Sequence, residues 1–178
     1  MELIIIILII ASLHPFAASD RQGDALNDMK QKLNATATQL TDWNQNQVNP
    51  CTWNSVICDS NNNVVQVTLA SMGFTGVLSP RIGELQHLNV LSLPGNMITG
   101  GIPEQFGNLS SLTSLDLEDN LLVGEIPASL GHLTKLQLLY VSVFLLLNFM
   151  NVNQLTFPLT FLFLNQDTES KQSKWVYS

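Results

Sequence analysis

Basic residues are scarce in this chain. Of 178 residues only seven are Lys or Arg, against fourteen Asp or Glu, for a formal net charge of −7. A surface so poor in cations has no basic patch with which to neutralise a phosphate backbone, so nucleic acid is not expected as a partner. Cysteine is nearly absent as well, with Cys51 and Cys58 the only two. Together with His14, His87 and His132 they make no convincing zinc-ligand set. No metal and no cofactor is expected. Also missing are a glycine-rich phosphate loop followed by a catalytic lysine, a His-Arg-Asp loop and an Asp-Phe-Gly motif, the working parts of a protein kinase. One carboxylate cluster stands out, "DLEDN" at 116–120, and strand spacing would send Asp116 and Glu118 to one face. Acid–base work needs an enclosing pocket to shift a pKa, and none is implied here. The chain is therefore read as non-catalytic.

Charged residues of either sign make up only 12%, low for an ordinary soluble domain. The deficit lies at the two ends. The first end, "MELIIIILIIASLHPFAAS", carries an apolar run from Leu3 to Leu13 and then Ala17-Ala18-Ser19. That is the layout of a secretory signal peptide over residues 1–19, although its start holds Glu2 and no Lys or Arg. A mature chain beginning near Asp20 would enter the secretory pathway, toward the cell surface or the extracellular space. In an oxidising compartment the close pair Cys51 and Cys58 is most simply a disulfide, the alternative being two buried thiols. Closing so short a loop contributes roughly 2.5 kcal/mol by chain entropy.

The middle of the chain repeats. Residues 88–111, "LNVLSLPGNMITGGIPEQFGNLSS", and 112–135, "LTSLDLEDNLLVGEIPASLGHLTK", share nine of 24 positions. Among these are the pairs Asn96/Asn120, Gly100/Gly124 and Pro103/Pro127. Residues 64–87 fall in the same register with Met72 in place of the Asn, and a fourth unit starts at Leu136 and stops near Val141. Leu-x-x-Leu-x-Leu describes a short strand with one buried face. The Asn beyond it can satisfy backbone groups of adjacent turns that water cannot reach. Glycine then permits a bend, and Ile-Pro turns an apolar side chain inward while removing a backbone donor, which limits further strand pairing. Each unit is one turn of a solenoid.

These units resemble plant-type leucine-rich repeats. What precedes them, over residues 20–63, resembles that family's N-terminal cap: the amphipathic "GDALNDMKQKL" with Ala25, Leu26, Met29 and Leu33 on one face, Trp43 in "LTDWN", and "NPCTWNSVIC". The texture is similar to the short-ectodomain plant receptor-like kinases, the group that includes the somatic embryogenesis receptor kinases. The resemblance covers about residues 20–141. It implies a leucine-rich-repeat solenoid of short parallel strands with a 3-10 or irregular convex side, about three 24-residue repeats (64–87, 88–111, 112–135, partial 136–141) and a helical, disulfide-bonded cap.

Such solenoids line their inner face with the outward positions of each strand. The expected partner-binding surface is Gln66, Thr68, Val90, Ser92, Pro94, Ser114, Asp116, Glu118 and Tyr140, with Asn89, Thr113 and Gln137 beside them. Where the resembled receptors carry aromatic anchors, this chain has Asn54, Val90 and Pro94, which removes the groups that often dominate an interface. Two glycosylation sequons begin at Asn34 and Asn108.

Residues 142–178 break the register: the period asks for Asn at 144, Gly at 148 and Pro at 151, and the chain has Phe144, Asn148 and Asn151. A membrane span over the apolar 140–164 stretch is disfavoured by Asn148, Asn151, Asn153, Gln154 and Pro158. Membrane association is expected only if that segment inserts. The segment reads as non-repeat sequence such as read-through past an exon boundary, and it would leave the last turn's leucines exposed unless it folds over them. The expected function is recognition of a protein or peptide ligand, or of a larger receptor ectodomain, by the ectodomain of a receptor-like kinase without its kinase. The alternatives are a free-standing secreted defence or inhibitor protein, or a truncated gene product without function.

Overall fold

The computed structural model describes residues 21–44, 49–141, 162–165 and 174–177. Its first element, α1 (Arg21–Lys32), follows from the sequence pattern. Ala25, Leu26 and Met29, with Leu33 just beyond the helix, form one fully buried face. Asp24 in the first turn and Lys30 and Lys32 in the last oppose the helix dipole. The helix stops at Asn34, whose φ of 53° is left-handed. Asn34 N donates to Gln31 O and Ala35 N to Lys30 O, so the last carbonyls are satisfied by a Schellman closure.

The cap is completed by the stacked rings of Trp43 and Trp53, 5.5 Å apart. Trp43 Nε1 donates to Asn54 O at 2.9 Å. Lys30 Nζ donates to Leu40 O and Trp43 O at 2.6 and 3.0 Å, tying the helix to the loop that follows it. Cys51 and Cys58 are joined, linking the 3-10 turn Pro50–Thr52 to β1 (Val56–Cys58). The cap is thus not purely helical: β1 pairs antiparallel with β2 (Val64–Thr68). The hairpin between them is held by Asp59, whose Oδ1 accepts from Asn61 N and Asn63 N.

From β2 onward the strands repeat in parallel. β3 (Val90–Ser92), β4 (Ser114–Leu117) and β5 (Leu138–Val141) stack in a constant register: Gln66–Val90–Ser114–Leu138, Val67–Leu91–Leu115–Leu139 and Thr68–Ser92–Asp116–Tyr140. On the opposite side each turn closes with a 3-10 segment, Pro80–Glu84, Glu104–Asn108 and Ala128–His132. Those segments touch closely. A Cβ on Gly83 would lie 2.2 Å from Gln105 O, and one on Gly107 2.5 Å from Ser129 Cβ, which explains the glycine at that repeat position. Between the two sides the leucine columns are buried, among them Leu88, Leu112 and Leu136, then Leu91, Leu115 and Leu139.

The repeat prolines do more than was expected of them. Pro103 and Pro127 stand directly ahead of two of the 3-10 segments, with φ of −66° and −58°. Their carbonyls accept from Phe106 N and Leu130 N at 3.1 and 3.0 Å, so each proline opens a 3-10 turn as well as ending strand-like pairing. The inward turn of the preceding isoleucine holds only in part. Ile102, before Pro103, is buried, whereas Ile126 and Pro127 are both half-buried. A Cβ on Gly131 meets nothing within 4 Å among the described residues.

The asparagines act as the sequence pattern implies. Asn96 Oδ1 accepts from Met72 N and Phe74 N, while its amide nitrogen donates to Leu69 O and Leu93 O. Asn120 accepts from Ile98 N and donates to Leu93 O and Glu118 O. Each therefore stitches its own turn to the one before. In the first turn, where Met72 replaces the Asn, Gln39 from the cap donates its side-chain amide to Met72 O.

At the far end Leu130, Leu133, Leu136, Leu139 and Val141 are all buried, so the last repeat leucines are not left open to solvent. Two further strands follow, β6 (Leu162–Asn165) antiparallel to β5 and β7 (Lys174–Tyr177) antiparallel to β6. The sheet order is β1 through β7. The segment 1–19, read from sequence as a signal peptide, and most of the apolar 140–164 stretch lie outside the described residues. Among the described residues no helix is long and apolar enough to cross a membrane.

Candidate recognition surface

The outward side chains of β2 to β5 share one open face of the sheet, because parallel strands in register place equivalent residues side by side. Two rows result. One runs Thr68, Ser92, Asp116, Tyr140, all half-buried and all polar or aromatic. Within it Ser92 Oγ lies 3.3 Å from Asp116 Oδ2. The other runs Gln66, Val90, Ser114 and then Leu138, which was not among the residues expected from sequence. The 24-residue step from Val90 and Ser114 points directly to it. Antiparallel pairing of β1 sets a further residue, Ile57, opposite Gln66, and Ile57 is 52% exposed. No repeat arithmetic reaches Ile57, since β1 lies in the cap. This row is therefore more apolar than the sequence list implied.

Asn89, Thr113 and Gln137 sit one residue ahead of these rows, where the chain enters each strand. Thr113 N donates to Asn89 O, and Gln137 N to Thr113 O. Pro94 and Glu118 follow the strands, where Ser71 N donates to Pro94 O and Gly95 N to Glu118 O. Asn54 is exposed in the cap, its carbonyl engaged by Trp43 and its amide by Asp42. The sequon residues are exposed as well, Asn34 at the end of α1 and Asn108 at the end of a 3-10 turn.

Charge on the repeats is mostly acidic, with Arg81, paired to Glu84 at 2.9 Å, and Lys135 as the two bases. From Ile82 to Thr134 there is no Lys or Arg, while Glu84, Glu104, Asp116, Glu118, Asp119 and Glu125 are all acidic. The Glu118 carboxyl is held above its ordinary value, first by burial and then by the neighbouring charges of Asp119 and Asp116. Asp116 Oδ1 accepts from Glu118 N at 3.2 Å, fixing the two residues relative to one another. A cation placed there would relieve the lesser part of that rise, the part due to Asp119 and Asp116. Among the described residues no group of three or more His, Cys, Asp or Glu is placed to hold a metal ion.

Comparison with known proteins adds to this geometry. Residues 19–59 match the leucine rich repeat N-terminal domain and residues 77–143 match the leucine rich repeat family. Over 96 residues, 53% of the chain, it is 80% identical to "LRR receptor kinase SERK2" of Oryza sativa subsp. japonica, but covers only 16% of that protein. It is 56% identical over 91 residues to a probable LRR receptor-like serine/threonine-protein kinase of Arabidopsis thaliana, covering 51% of the chain and 15% of the relative. The chain thus spans about a sixth of the length of these curated relatives. Among solved structures, the HAESA receptor kinase ectodomain of Arabidopsis in complex with an extended IDA peptide hormone superposes with a TM-score of 0.60 at 38% identity. That match covers 70% of this chain and 21% of that one. The BIR3–SERK2 complex of Arabidopsis superposes at 0.59 with 27% identity, covering 66% of each chain.

Proposed function

For this leucine-rich-repeat chain, similar in sequence and fold to plant receptor kinase ectodomains, we propose a role in extracellular recognition: the open face of β2 to β5 binds a protein or peptide ligand, or a larger receptor ectodomain. The observation that carries the proposal is the pair of in-register outward rows, one mixed (Gln66, Val90, Ser114, Leu138) and one polar or aromatic (Thr68, Ser92, Asp116, Tyr140), beside the neighbouring carboxylates of Asp116 and Glu118. The site residues are Gln66, Thr68, Val90, Ser92, Pro94, Ser114, Asp116, Glu118 and Tyr140 from the sequence, joined by Leu138 and Ile57. The two charged site residues, Asp116 and Glu118, are both acidic, which favours a partner that brings Lys or Arg to this face. The chain works without catalysis, at the cell surface or in the extracellular space. Glycans at Asn34 and Asn108 would stand off the open face, since neither residue belongs to its rows.

The neighbouring structures supply the probes. The full chain is titrated calorimetrically with the BIR3 ectodomain and, separately, with the HAESA ectodomain bound to its IDA peptide. Binding of either is expected to weaken at least tenfold in Asp116→Asn/Tyr140→Ala and to stay within twofold in Glu104→Gln, on the opposite side. Binding that ignores the first variant, or no binding to either probe, counts against this assignment.

A further inference from the structure

Where the turns leave the sheet they run side by side again. Met97 N donates to Phe74 O and Leu121 N to Ile98 O, at 2.8 and 2.9 Å. Thr99 N and Val123 N donate to Gly76 O and Gly100 O, both at 2.8 Å, and Val77 bridges Thr99 in parallel. On this lateral ladder Ile98 and Leu122 point inward and are fully buried. The outward side chains are apolar where solvent would favour polar ones: Val77 is 40% exposed, Met97 48%, Leu121 56% and Val123 52%. Among the described residues these are all but one of the exposed large hydrophobics, the other being Ile57 on the open face. Read with the Val77–Thr99 bridge, the same bonds set Leu121 beside Thr99 and Val123 beside Gly101, with Met97 diagonal to Leu121 and Val77 diagonal to Met97, so the four side chains are near neighbours on one strip.

The outward residues of the third turn read Asp119, Leu121, Val123, Glu125, an aliphatic pair between two exposed acids. No Lys or Arg lies anywhere from Ile82 to Thr134 to offset them. An exposed apolar patch with a polar rim marks an interaction site, and rim charges select the partner. Two copies of this chain would bring like charges together, which disfavours self-association here. We propose that the lateral strip is a second docking surface, for a protein segment that presents aliphatic side chains between lysines or arginines. It uses none of the open-face residues, so it stands or falls separately from the recognition role given above.

The test titrates the full, nitrogen-15-labelled chain with the peptide Lys-Thr-Leu-Thr-Val-Thr-Lys and with its counterpart carrying Glu for both Lys. The Lys peptide is expected to shift the amides of 97–99 and 121–125. Its dissociation constant should rise at least fivefold in Leu121→Ser/Val123→Thr, in which no charge changes and no buried side chain is touched. The Glu peptide should not bind. Four results overturn the proposal: no binding of the Lys peptide; equal binding of both peptides; binding within twofold in the double variant, which would mean charge attraction alone; or shifts confined to 114–118, which would place the peptide on the open face. Sedimentation showing a dimer that Leu121→Ser/Val123→Thr dissociates would also overturn it, by making a second copy the occupant.

Discussion

Replacing Asn96 by Ala should cost a large part of the stability of the repeats. The side chain is 6% exposed, so water cannot take its place freely. It accepts from Met72 N and Phe74 N at 3.0 and 3.2 Å, and donates to Leu69 O and Leu93 O at 2.9 Å each. At a net ~1 kcal/mol per bond, and more wherever a buried partner is left orphaned, the loss is about 4 kcal/mol. Asn120 has a single backbone donor, Ile98 N at 3.1 Å, and two short donations, to Leu93 O at 2.9 Å and Glu118 O at 3.0 Å. Asn120→Ala is therefore expected to cost less, by about 1 kcal/mol. With a urea slope of about 2 kcal/mol per molar, Asn96→Ala lowers the unfolding midpoint by about 2 M. The assay is urea unfolding with the disulfide intact, followed by circular dichroism and by tryptophan fluorescence so that coincident transitions can be checked. Asn96→Asp refines it. The carboxylate keeps the acceptor but sets negative charge against two carbonyl oxygens, so its folded-state pKa rises and its penalty shrinks as pH falls. A midpoint within about 0.5 M of wild type for Asn96→Ala, or an Asn120→Ala that is worse than Asn96→Ala, would refute the stitching role.

Other consequences can be measured on the same material. A Cβ on Gly76 would fall 1.8 Å from Lys32 O, where the end of α1 rests on the first turn; Gly76→Ala should cost about 3 kcal/mol or more. Gly124→Ala meets no atom within 4 Å among the described residues and has a φ of 95°, so a cost of about 1 kcal/mol is expected; equal midpoints for the two variants would contradict the contact. Removing the disulfide in Cys51→Ala/Cys58→Ala, which bridges a sequence separation of 7, should lower stability by about 2.5 kcal/mol, and an unchanged melting curve would show that the cap tolerates the opened loop. Glu118 should titrate above an ordinary glutamate by carbon-detected NMR. Its folded form then binds more protons than the unfolded chain just above the usual glutamate pKa, so this group removes stability as pH rises through that window. Glu118→Gln should abolish that slope and leave the neutral-pH protein slightly more stable; a Glu118 pKa at or below the ordinary value would rule the crowding out.

The inward half of the molecule was legible because it obeys a rule at every turn. The leucine columns, the two asparagines and the helix face of Ala25, Leu26 and Met29 are all positions where one residue type satisfies a geometric demand. The disulfide followed from compartment and spacing. What escaped was local and non-repeating. β1 is three residues long and paired across a hairpin, and Val56-Ile57-Cys58 carries no period from which to infer it. With β1 unseen, Ile57 could not be placed beside Gln66. Pro103 and Pro127 are the same residue at the same step of the repeat, yet only the first follows a buried isoleucine; a repeat pattern treats all turns alike and does not register such differences between them. The buried last leucines were uncertain for a related reason: the pairing of β6 with β5 is antiparallel, and repeat arithmetic only generates parallel neighbours.

Outward positions are a different case, because the fold leaves them almost unconstrained. The solenoid needs Leu91 and Leu93; it is indifferent to whether Ser, Pro or an aromatic stands between and beyond them. Residue choice there reports function more cleanly than residue choice in the core does. Two departures are informative on those terms. Val90 and Pro94 put compact apolar groups on the open face, and the resemblance drawn from sequence implied aromatics at those places. Leu121 and Val123 put large aliphatic groups on a lateral strip that the core does not require to be apolar, each about half exposed. Burying such a side chain is worth about 1.5–3 kcal/mol, and a monomer standing alone in water forgoes it. Asp116, Glu118, Asp119 and Glu125 lie on or beside these two faces, and acids next to exposed aliphatic surface favour a partner that is both apolar and basic over one that is apolar alone.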